Sequence, residues 1–158
     1  MEEKIKLIID KLITNNKTIS MMESCTGGGL SNEITNVERA SEVLKFSAVT
    51  YSNEYKIKMG VSANVIEDYT VYSKEVANEM SLNISKFTNS NYGVGITGKL
   101  NRIDKNNLHG LDNVVYVSIY DRDNDNYYDK VIEVNKNTRK ENKEIVINIA
   151  LDMLLEII

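Results

Sequence analysis

Several residue types that commonly carry structure or chemistry are scarce in this chain. Among its 158 residues there is no proline and no tryptophan, one cysteine (Cys25) and one histidine (His109). A single cysteine excludes an intrachain disulfide and a cysteine-based metal site, and one histidine beside it does not make a structural zinc site. We therefore expect neither a metal nor another cofactor. The missing proline looks like a coding bias and carries no functional weight.

The chain also lacks an excess of positive charge and a long apolar run. Its formal net charge is −4, which argues against a nucleic-acid partner held by a basic face. No run is long enough to cross a bilayer, and the charged, amphipathic N-terminus has no apolar leader core, so we expect a cytoplasmic protein without a membrane partner. A chain of this length fits one domain, 1–158, which can bury roughly two thirds of its unfolded surface.

Apolar periodicity alternates between helical and strand spacing along the chain. It predicts an α/β fold, a three-layer α/β/α sandwich with a mixed sheet, in which Leu7 and Phe87 are among the buried positions. Residues 40–42 are expected to form a polar break, and residues 99–112 a long polar loop of the kind that is usually functional or mobile. The predicted helices cover 2–15, a segment ending near 36, 54–59, 74–88 and a final segment capped by Thr138; the predicted strands cover 18–23, 43–51, 92–97, 114–120 and 127–134.

The segment 21–31, Met-Met-Glu-Ser-Cys-Thr-Gly-Gly-Gly-Leu-Ser, organises the expected chemistry. It reads as a strand, a tight small-residue turn and a helix start, where free backbone amides can hold an anion or an oxyanion. Ser24, Cys25 and Thr26 place two hydroxyls and a thiol at the mouth of this turn. The alternative is an ordinary helix start with a capping hydroxyl, and the absence of a Gly-Lys-Ser/Thr ending excludes a P-loop.

Polar side chains follow three of the predicted strands. Ser24, Tyr51 and Thr97 each stand at or just after a strand end. In an open α/β sheet such ends are neighbours at the edge where ligands bind. We therefore expect these three residues to meet at one site.

Four motifs in the same order resemble the C-terminal domain of the CinA family, and the resemblance covers almost the whole chain. Many members of that family are nicotinamide-nucleotide amidases. The resemblance implies an α/β/α domain, a homo-oligomer such as a dimer, and hydrolysis of the carboxamide of nicotinamide mononucleotide to nicotinate mononucleotide and ammonia. The motifs are Glu23-Ser24-Cys25-Thr26-Gly27-Gly28, the segment 49–54 followed by Lys56 and Gly60-Val61, the segment 71–77, and Gly95-Ile96-Thr97-Gly98.

By this resemblance, Ser24 is the nucleophile, Lys56 its base, and Tyr51 and Thr97 the supporting polar groups. The small-molecule partner is a pyridine nucleotide. Glu23 is expected to hold a ribose or the Lys56 ammonium, with a surface carboxylate as the alternative, and Arg139 is expected to contact a phosphate. The remaining substrate-binding candidates are Thr26, Gly27, Gly28 and Gly98.

The chain departs from the family pattern at two places. After Thr97-Gly98 the family commonly continues with Ile-Ala-Gly-Pro, whereas this chain has Lys99-Leu100-Asn101-Arg102. The spacing from Lys56 to Gly60 is one residue shorter than usual, so Tyr55 or Lys58 could occupy the base position instead. The rewritten loop favours a second hypothesis, a catalytically inactive domain that binds a nucleotide or a partner, with the link to competence that the family name suggests.

A serine hydroxyl needs a base to remove its proton. His109 is the only histidine and lies in a predicted loop, where nothing fixes it. A lysine base has an ordinary pKa near 10.4, so Lys56 would have to be desolvated to act at neutral pH. Cys25 is the alternative nucleophile, but neighbouring residues at a strand end face opposite ways, and Cys25 is expected to be a packing residue.

Overall fold

The computed structural model describes all 158 residues, and helices and strands alternate along most of the chain. Its helices are α1 (Glu2–Thr14), α2 (Gly29–Thr35), α3 (Ala40–Val43), α4 (Asn53–Lys58), α5 (Ala63–Tyr69), α6 (Lys74–Thr88) and α7 (Arg139–Ile157). Its strands are β1 (Ile19–Glu23), β2 (Leu44–Val49), β3 (Tyr92–Gly98), β4 (Val114–Asp121) and β5 (Asn126–Glu133). No helix combines the length and the apolar character that a bilayer span requires.

The five strands form one mixed sheet in the order β2-β1-β3-β4-β5. Strand β1 pairs in parallel with β2 and with β3, while β4 and β5 continue the sheet as an antiparallel hairpin. The larger apolar core lies between the sheet and α1, α2, α3 and α7, and a smaller one lies under α5 and α6 on the other face. The predicted α/β/α sandwich with a mixed sheet is confirmed.

Two short helices and two apolar side chains differ from the sequence prediction. The expected break at 40–42 is the helix α3, and α5 was not predicted because none of its residues is fully buried, so its apolar face is weak. Leu7 is 47% exposed and Phe87 is 67% exposed, so their predicted burial is wrong. Phe87 lies beside the buried stripe of α6 and packs its ring on Phe46 of the edge strand.

Glycines in β3 let α6 approach the sheet closely. A Cβ atom at Gly93 would lie 2.0 Å from the carbonyl oxygen of Ser81, and one at Gly95 would lie 2.4 Å from that of Ala77. Neither position has room for a side chain. This contact holds β3 and α6 in one fixed relation, so the end of β3 is a rigid support for whatever follows it.

The three parallel strands end side by side, and their pairing extends beyond the regular sheet. The Thr50 amide donates to the Glu23 carbonyl (2.9 Å), and the Ser24 amide donates to the Ile96 carbonyl (3.0 Å). Because side chains alternate across a strand, Glu23 and Ser24 face opposite sides of the sheet. The end of β1 therefore offers one polar position to each face.

Candidate active site

A serine hydroxyl and a lysine amine meet where β1 ends. The amine nitrogen Nζ of Lys56 lies 2.9 Å from Ser24 Oγ and 2.7 Å from the carbonyl oxygen of Thr50. Lys56 is 1% exposed and Ser24 is 5% exposed, so the pair is removed from bulk water. A nucleophile and a base need this geometry, a hydrogen-bond distance between the two reacting heavy atoms.

Helix α4 delivers Lys56 to the serine. The Ser52 hydroxyl caps the helix by accepting a hydrogen bond from the Tyr55 amide, so the helix begins directly after β2. Tyr55 is exposed, and Lys58 is an exposed residue that pairs with Glu54 at 2.9 Å. Of the three residues that could fill the base position, Lys56 alone points its side chain inward.

Burial makes Lys56 a usable base. Desolvation lowers its pKa to about 8, although the nearby Asp104 carboxylate opposes this shift. Its two hydrogen-bond partners, a hydroxyl and a carbonyl, carry no charge that would hold the proton in place. At pH 7 about one amine in ten is neutral, compared with about one in two thousand for an ordinary lysine.

Cys25, the neighbour of Ser24, is a packing residue. It is 5% exposed and belongs to the larger apolar core, although it also borders the cavity described below. Burial raises its pKa to about 12, so the thiol stays protonated at neutral pH and is a weak nucleophile. The only histidine, His109, is exposed and does not line that cavity.

The turn after Ser24 carries free backbone donors. The Gly27 amide closes the turn by donating to the Ser24 carbonyl at 2.9 Å, whereas the amides of Cys25, Thr26 and Gly28 donate to no group of the chain. Gly28 has φ +87°, in the left-handed region, where a residue with a side chain would be strained. Unpaired amides beside a nucleophile can stabilise an oxyanion.

Glu23 and Thr26 lie on the face of the sheet opposite to the Ser24 hydroxyl, where they stabilise the start of α2. The buried Glu23 carboxylate accepts hydrogen bonds from the Thr26 hydroxyl (2.6 Å), the Leu30 amide (3.1 Å), and both the amide and the hydroxyl of Ser31 (2.9 and 2.6 Å). It thus caps α2 and makes no bond to Lys56. The structure does not bring these two predicted substrate-binding residues to the Ser24 hydroxyl.

Some of the remaining predicted residues border the cavity, and one stabilises the fold behind it. Arg139, at the start of α7, donates to the exposed Tyr51 hydroxyl at 3.2 Å, and both residues border the cavity. Thr97 is fully buried, and its hydroxyl donates to the Val71 carbonyl at 3.0 Å, which ties β3 to the segment before α6. Gly98 lines the cavity and lies against Val115, with no space for a Cβ atom.

A cavity of about 530 Å³ opens over Ser24, and the 99–112 loop forms much of its wall. The residues that replace the usual family pattern are built into the fold. Leu100 is buried in the larger core, and Lys99 pairs with Asp112 (3.2 Å) with its ammonium 5.1 Å from the centre of the Tyr72 ring. Arg102 donates to the carbonyls of Asn101 and Asn137, both at 2.6 Å.

Tyr72, Asp104 and Thr50 are among the residues at or beside the site to which the sequence assigns no role. Tyr72 and Asp104 line the cavity and hydrogen-bond to each other across 32 positions of sequence. Thr50 supplies the carbonyl that holds Lys56, and its own hydroxyl is the one buried side-chain polar atom without a partner. Tyr72 and Thr50 lie within motifs of the family resemblance, which was the only signal for them.

Comparison with known proteins places the whole chain in one family. A family model described as CinA C-terminal domain matches residues 1–158. A CinA-like protein of Endomicrobium trichonymphae is 35% identical over 146 residues, which is 90% of this chain and 33% of that protein. A CinA-like protein of Fervidobacterium nodosum is 40% identical over 98 residues, or 61% of this chain and 24% of that protein.

Solved structures share the fold over nearly the full chain. The competence/damage inducible protein CihA of Agrobacterium tumefaciens superimposes with a TM-score of 0.88 at 25% identity, covering 98% of this chain and 93% of that one. A competence-damaged protein (CinA) superfamily protein of Escherichia coli gives a TM-score of 0.89 at 21% identity, covering 99% and 90%. The chain thus matches a whole domain in these structures, but only a quarter to a third of the length of the two curated relatives.

Proposed function

The chain belongs to the CinA C-terminal domain family, and on that premise we propose that it is an amidohydrolase that releases ammonia from the carboxamide of a pyridine nucleotide such as nicotinamide mononucleotide. The observation that carries the proposal is the 2.9 Å contact between Ser24 Oγ and the buried amine of Lys56. The family includes amidases, and a hydroxyl activated by a neutral amine suits the cleavage of an amide.

In the first half of the reaction, Ser24 Oγ attacks the carboxamide carbon while Lys56 takes the hydroxyl proton. The oxyanion of the tetrahedral intermediate is stabilised by the backbone amides of the turn, of which that of Cys25 belongs to a residue that borders the cavity. Lys56 then returns the proton to the departing nitrogen, the C–N bond breaks, and ammonia leaves. An acyl ester on Ser24 and a neutral lysine remain.

In the second half, water attacks the ester carbon and Lys56 accepts a proton from it. Collapse of the second tetrahedral intermediate breaks the C–O bond, and Ser24 Oγ regains a proton from Lys56. The product is a pyridine carboxylic acid, which loses its remaining proton to water and leaves as the carboxylate. The lysine begins and ends as the neutral amine, which is the reason that its lowered pKa matters in both halves.

The cavity walls suit a phosphorylated substrate. Arg139 and Lys105 border the cavity, and guanidinium and ammonium groups bind phosphate oxygens. Tyr51, 63% exposed beside Arg139, offers a ring on which a base or a pyridine can stack. Because the chain spans only part of its curated relatives, this activity is proposed for the domain and not for the longer proteins.

The direct test is to incubate the protein with nicotinamide mononucleotide and measure ammonia. We expect release by the wild type, a loss of at least about a thousandfold in Ser24→Ala, and retained release in Cys25→Ala. Cys25→Ala is the matched control because it alters the adjacent side chain and spares the hydroxyl. Tight nucleotide binding without ammonia from the wild type would instead support the inactive, ligand-binding domain.

A further inference from the structure

The cavity over Ser24 contains one carboxylate among several cations. Its charged lining residues are Lys99, Arg102, Lys105, Arg139 and Asp104. Lys99 is already neutralised by Asp112, and Arg102 is engaged by two backbone carbonyls. A single negative charge in a site proposed to bind a phosphate needs an explanation, because it repels that anion.

Asp104 is held firmly in its place. Its carboxylate accepts hydrogen bonds from the Tyr72 hydroxyl, the Asn106 amide (2.9 Å) and the Asn107 side chain (3.3 Å), while Asn107 in turn accepts one from Asn53 at 3.1 Å. Burial alone would raise the pKa of Asp104, but these hydrogen bonds outweigh it and keep the pKa below its usual value. The group is therefore a fixed negative charge at neutral pH.

This charge works against the catalytic base. A carboxylate near Lys56 favours the ammonium form and raises the pKa of the amine, which opposes the effect of burial. An asparagine at 104 could keep the Asn106 hydrogen bond through its amide oxygen and donate from its NH2 group to the Tyr72 hydroxyl, without that penalty. The arrangement is explained if the carboxylate also stabilises something positive in the bound substrate.

A pyridinium ring supplies that positive charge. In a nicotinamide nucleotide the ring nitrogen is bonded to the ribose, and the ring carries a full positive charge beside the carboxamide that Ser24 would attack. We propose that Asp104 is the counter-charge of this ring, so that the site selects cationic pyridinium carboxamides over neutral aryl carboxamides of the same shape. The inference rests on the proposed function and adds a specificity-determining residue to it.

Two ligands of nearly equal shape isolate the charge interaction between Asp104 and the pyridinium ring. Nicotinamide mononucleotide has the cationic ring, and benzamide riboside 5′-monophosphate has a neutral ring with the same carboxamide, ribose and phosphate. Their affinities are measured by calorimetry in the Ser24→Ala variant, which requires no turnover, with and without Asp104→Asn. We expect Asp104→Asn to weaken the cationic ligand about tenfold and to change the neutral ligand less than about twofold.

The ratio of the two affinities is the decisive quantity. A change in the shape of the loop affects both ligands and cancels in the ratio. Loss of Asp104 also favours the neutral form of Lys56, which would strengthen binding of the cationic ligand and so cannot imitate the expected weakening. Glu38→Gln is the matched control, since it removes an exposed carboxylate that neither lines the cavity nor pairs with a cation, and the ratio should stay at the wild-type value. Equal weakening of both ligands, an unchanged ratio in Asp104→Asn, or no binding of the cationic ligand would overturn the inference.

The same variants also keep the two proposals apart. If the Ser24-intact protein releases no ammonia while the affinity ratio falls in Asp104→Asn, the hydrolase proposal fails and the role of Asp104 stands. If ammonia is released at equal kcat/KM from both ligands by the wild type and by Asp104→Asn, the hydrolase proposal stands and the role of Asp104 fails.

Discussion

Two buried ionisable side chains lie near the end of β1, and they differ in how fully their charges are compensated by hydrogen bonds. Glu23 is fully buried toward α2 and accepts four hydrogen bonds. Lys56 is equally buried near the adjacent Ser24, and its only partners are a hydroxyl and a carbonyl. The carboxylate is saturated with donors and stabilises a helix start, whereas the amine is left without a counter-ion and is ready to lose its proton.

The contrast shows how one strand end can serve structure and chemistry together. Alternation along β1 sends Glu23 to one face of the sheet and Ser24 to the other. The capped helix fixes the glycine turn from behind, and the turn holds Ser24 against Lys56. Stability on one face thus supports reactivity on the other. Substitutions at Glu23 and at Lys56 should change the free energy of unfolding in opposite directions.

The largest effect on stability is expected for Glu23→Ala. The substitution leaves a buried threonine hydroxyl and two helix amides without an acceptor, and we expect the free energy of unfolding to fall by about 4 kcal/mol. Urea unfolding followed by circular dichroism measures it. Glu42→Ala, an exposed carboxylate paired with Arg39, should change it by less than about 0.5 kcal/mol. A Glu23→Ala variant as stable as this control would contradict the capping role.

Lys56→Met should raise the free energy of unfolding at neutral pH, whereas Glu23→Ala lowers it. A fall in pKa from 10.5 to about 8 means that burying the charged amine costs roughly 3 kcal/mol, less about 1 kcal/mol for its hydrogen bonds, and methionine removes this cost. We therefore expect Lys56→Met to be about 2 kcal/mol more stable than the wild type at pH 7, measured by urea unfolding.

The advantage of Lys56→Met should also depend on pH. Between pH 8 and 10.5 the folded wild type has released the Lys56 proton while the unfolded chain still holds it, so wild-type stability rises with pH in this window. The difference in the free energy of unfolding between Lys56→Met and the wild type should therefore shrink across this window. Lys58→Met, on the exposed side of the same helix, should show no such dependence. A destabilised Lys56→Met variant with a constant gap would refute the idea of an uncompensated amine.

A smaller effect is expected for two threonines at neighbouring strand ends. Thr50 has a buried hydroxyl without a partner, so Thr50→Val should leave stability unchanged or raise it by up to about 1 kcal/mol. Thr97→Val removes the donor to the Val71 carbonyl and should lower stability by about 1 kcal/mol. Thermal unfolding of both variants tests the pair, and losses of equal size would contradict the assignment.

Much of this arrangement could be predicted from sequence because it depends on local pattern. The periods of the apolar residues indicate the order of most helices and strands, and the serine followed by glycines indicates the turn at the end of β1. The role of Glu23 was also accessible in principle, since a residue next to Ser24 in a strand must face the other way. The sequence prediction instead assigned this carboxylate to a ribose or to Lys56 because it stands next to Ser24.

The rest depends on contacts between distant segments. Helix α5 has no fully buried residue, so its sequence carries little periodicity to detect. The bond between Tyr72 and Asp104 joins residues 32 positions apart, and nothing local in the 99–112 loop indicates that it folds over Ser24. Burial of Lys56, the property on which the chemistry depends, is likewise a tertiary fact that a lysine in a short polar helix does not reveal.

The pH dependence of kcat/KM for ammonia release from nicotinamide mononucleotide tests the central claim most directly. If the neutral amine of Lys56 activates Ser24, kcat/KM should rise about tenfold per pH unit below pH 8 and level off above it, with one apparent pKa near 8. A profile that is flat between pH 6 and 9, or a rising limb of the same pKa that persists in Lys56→Met, would contradict it.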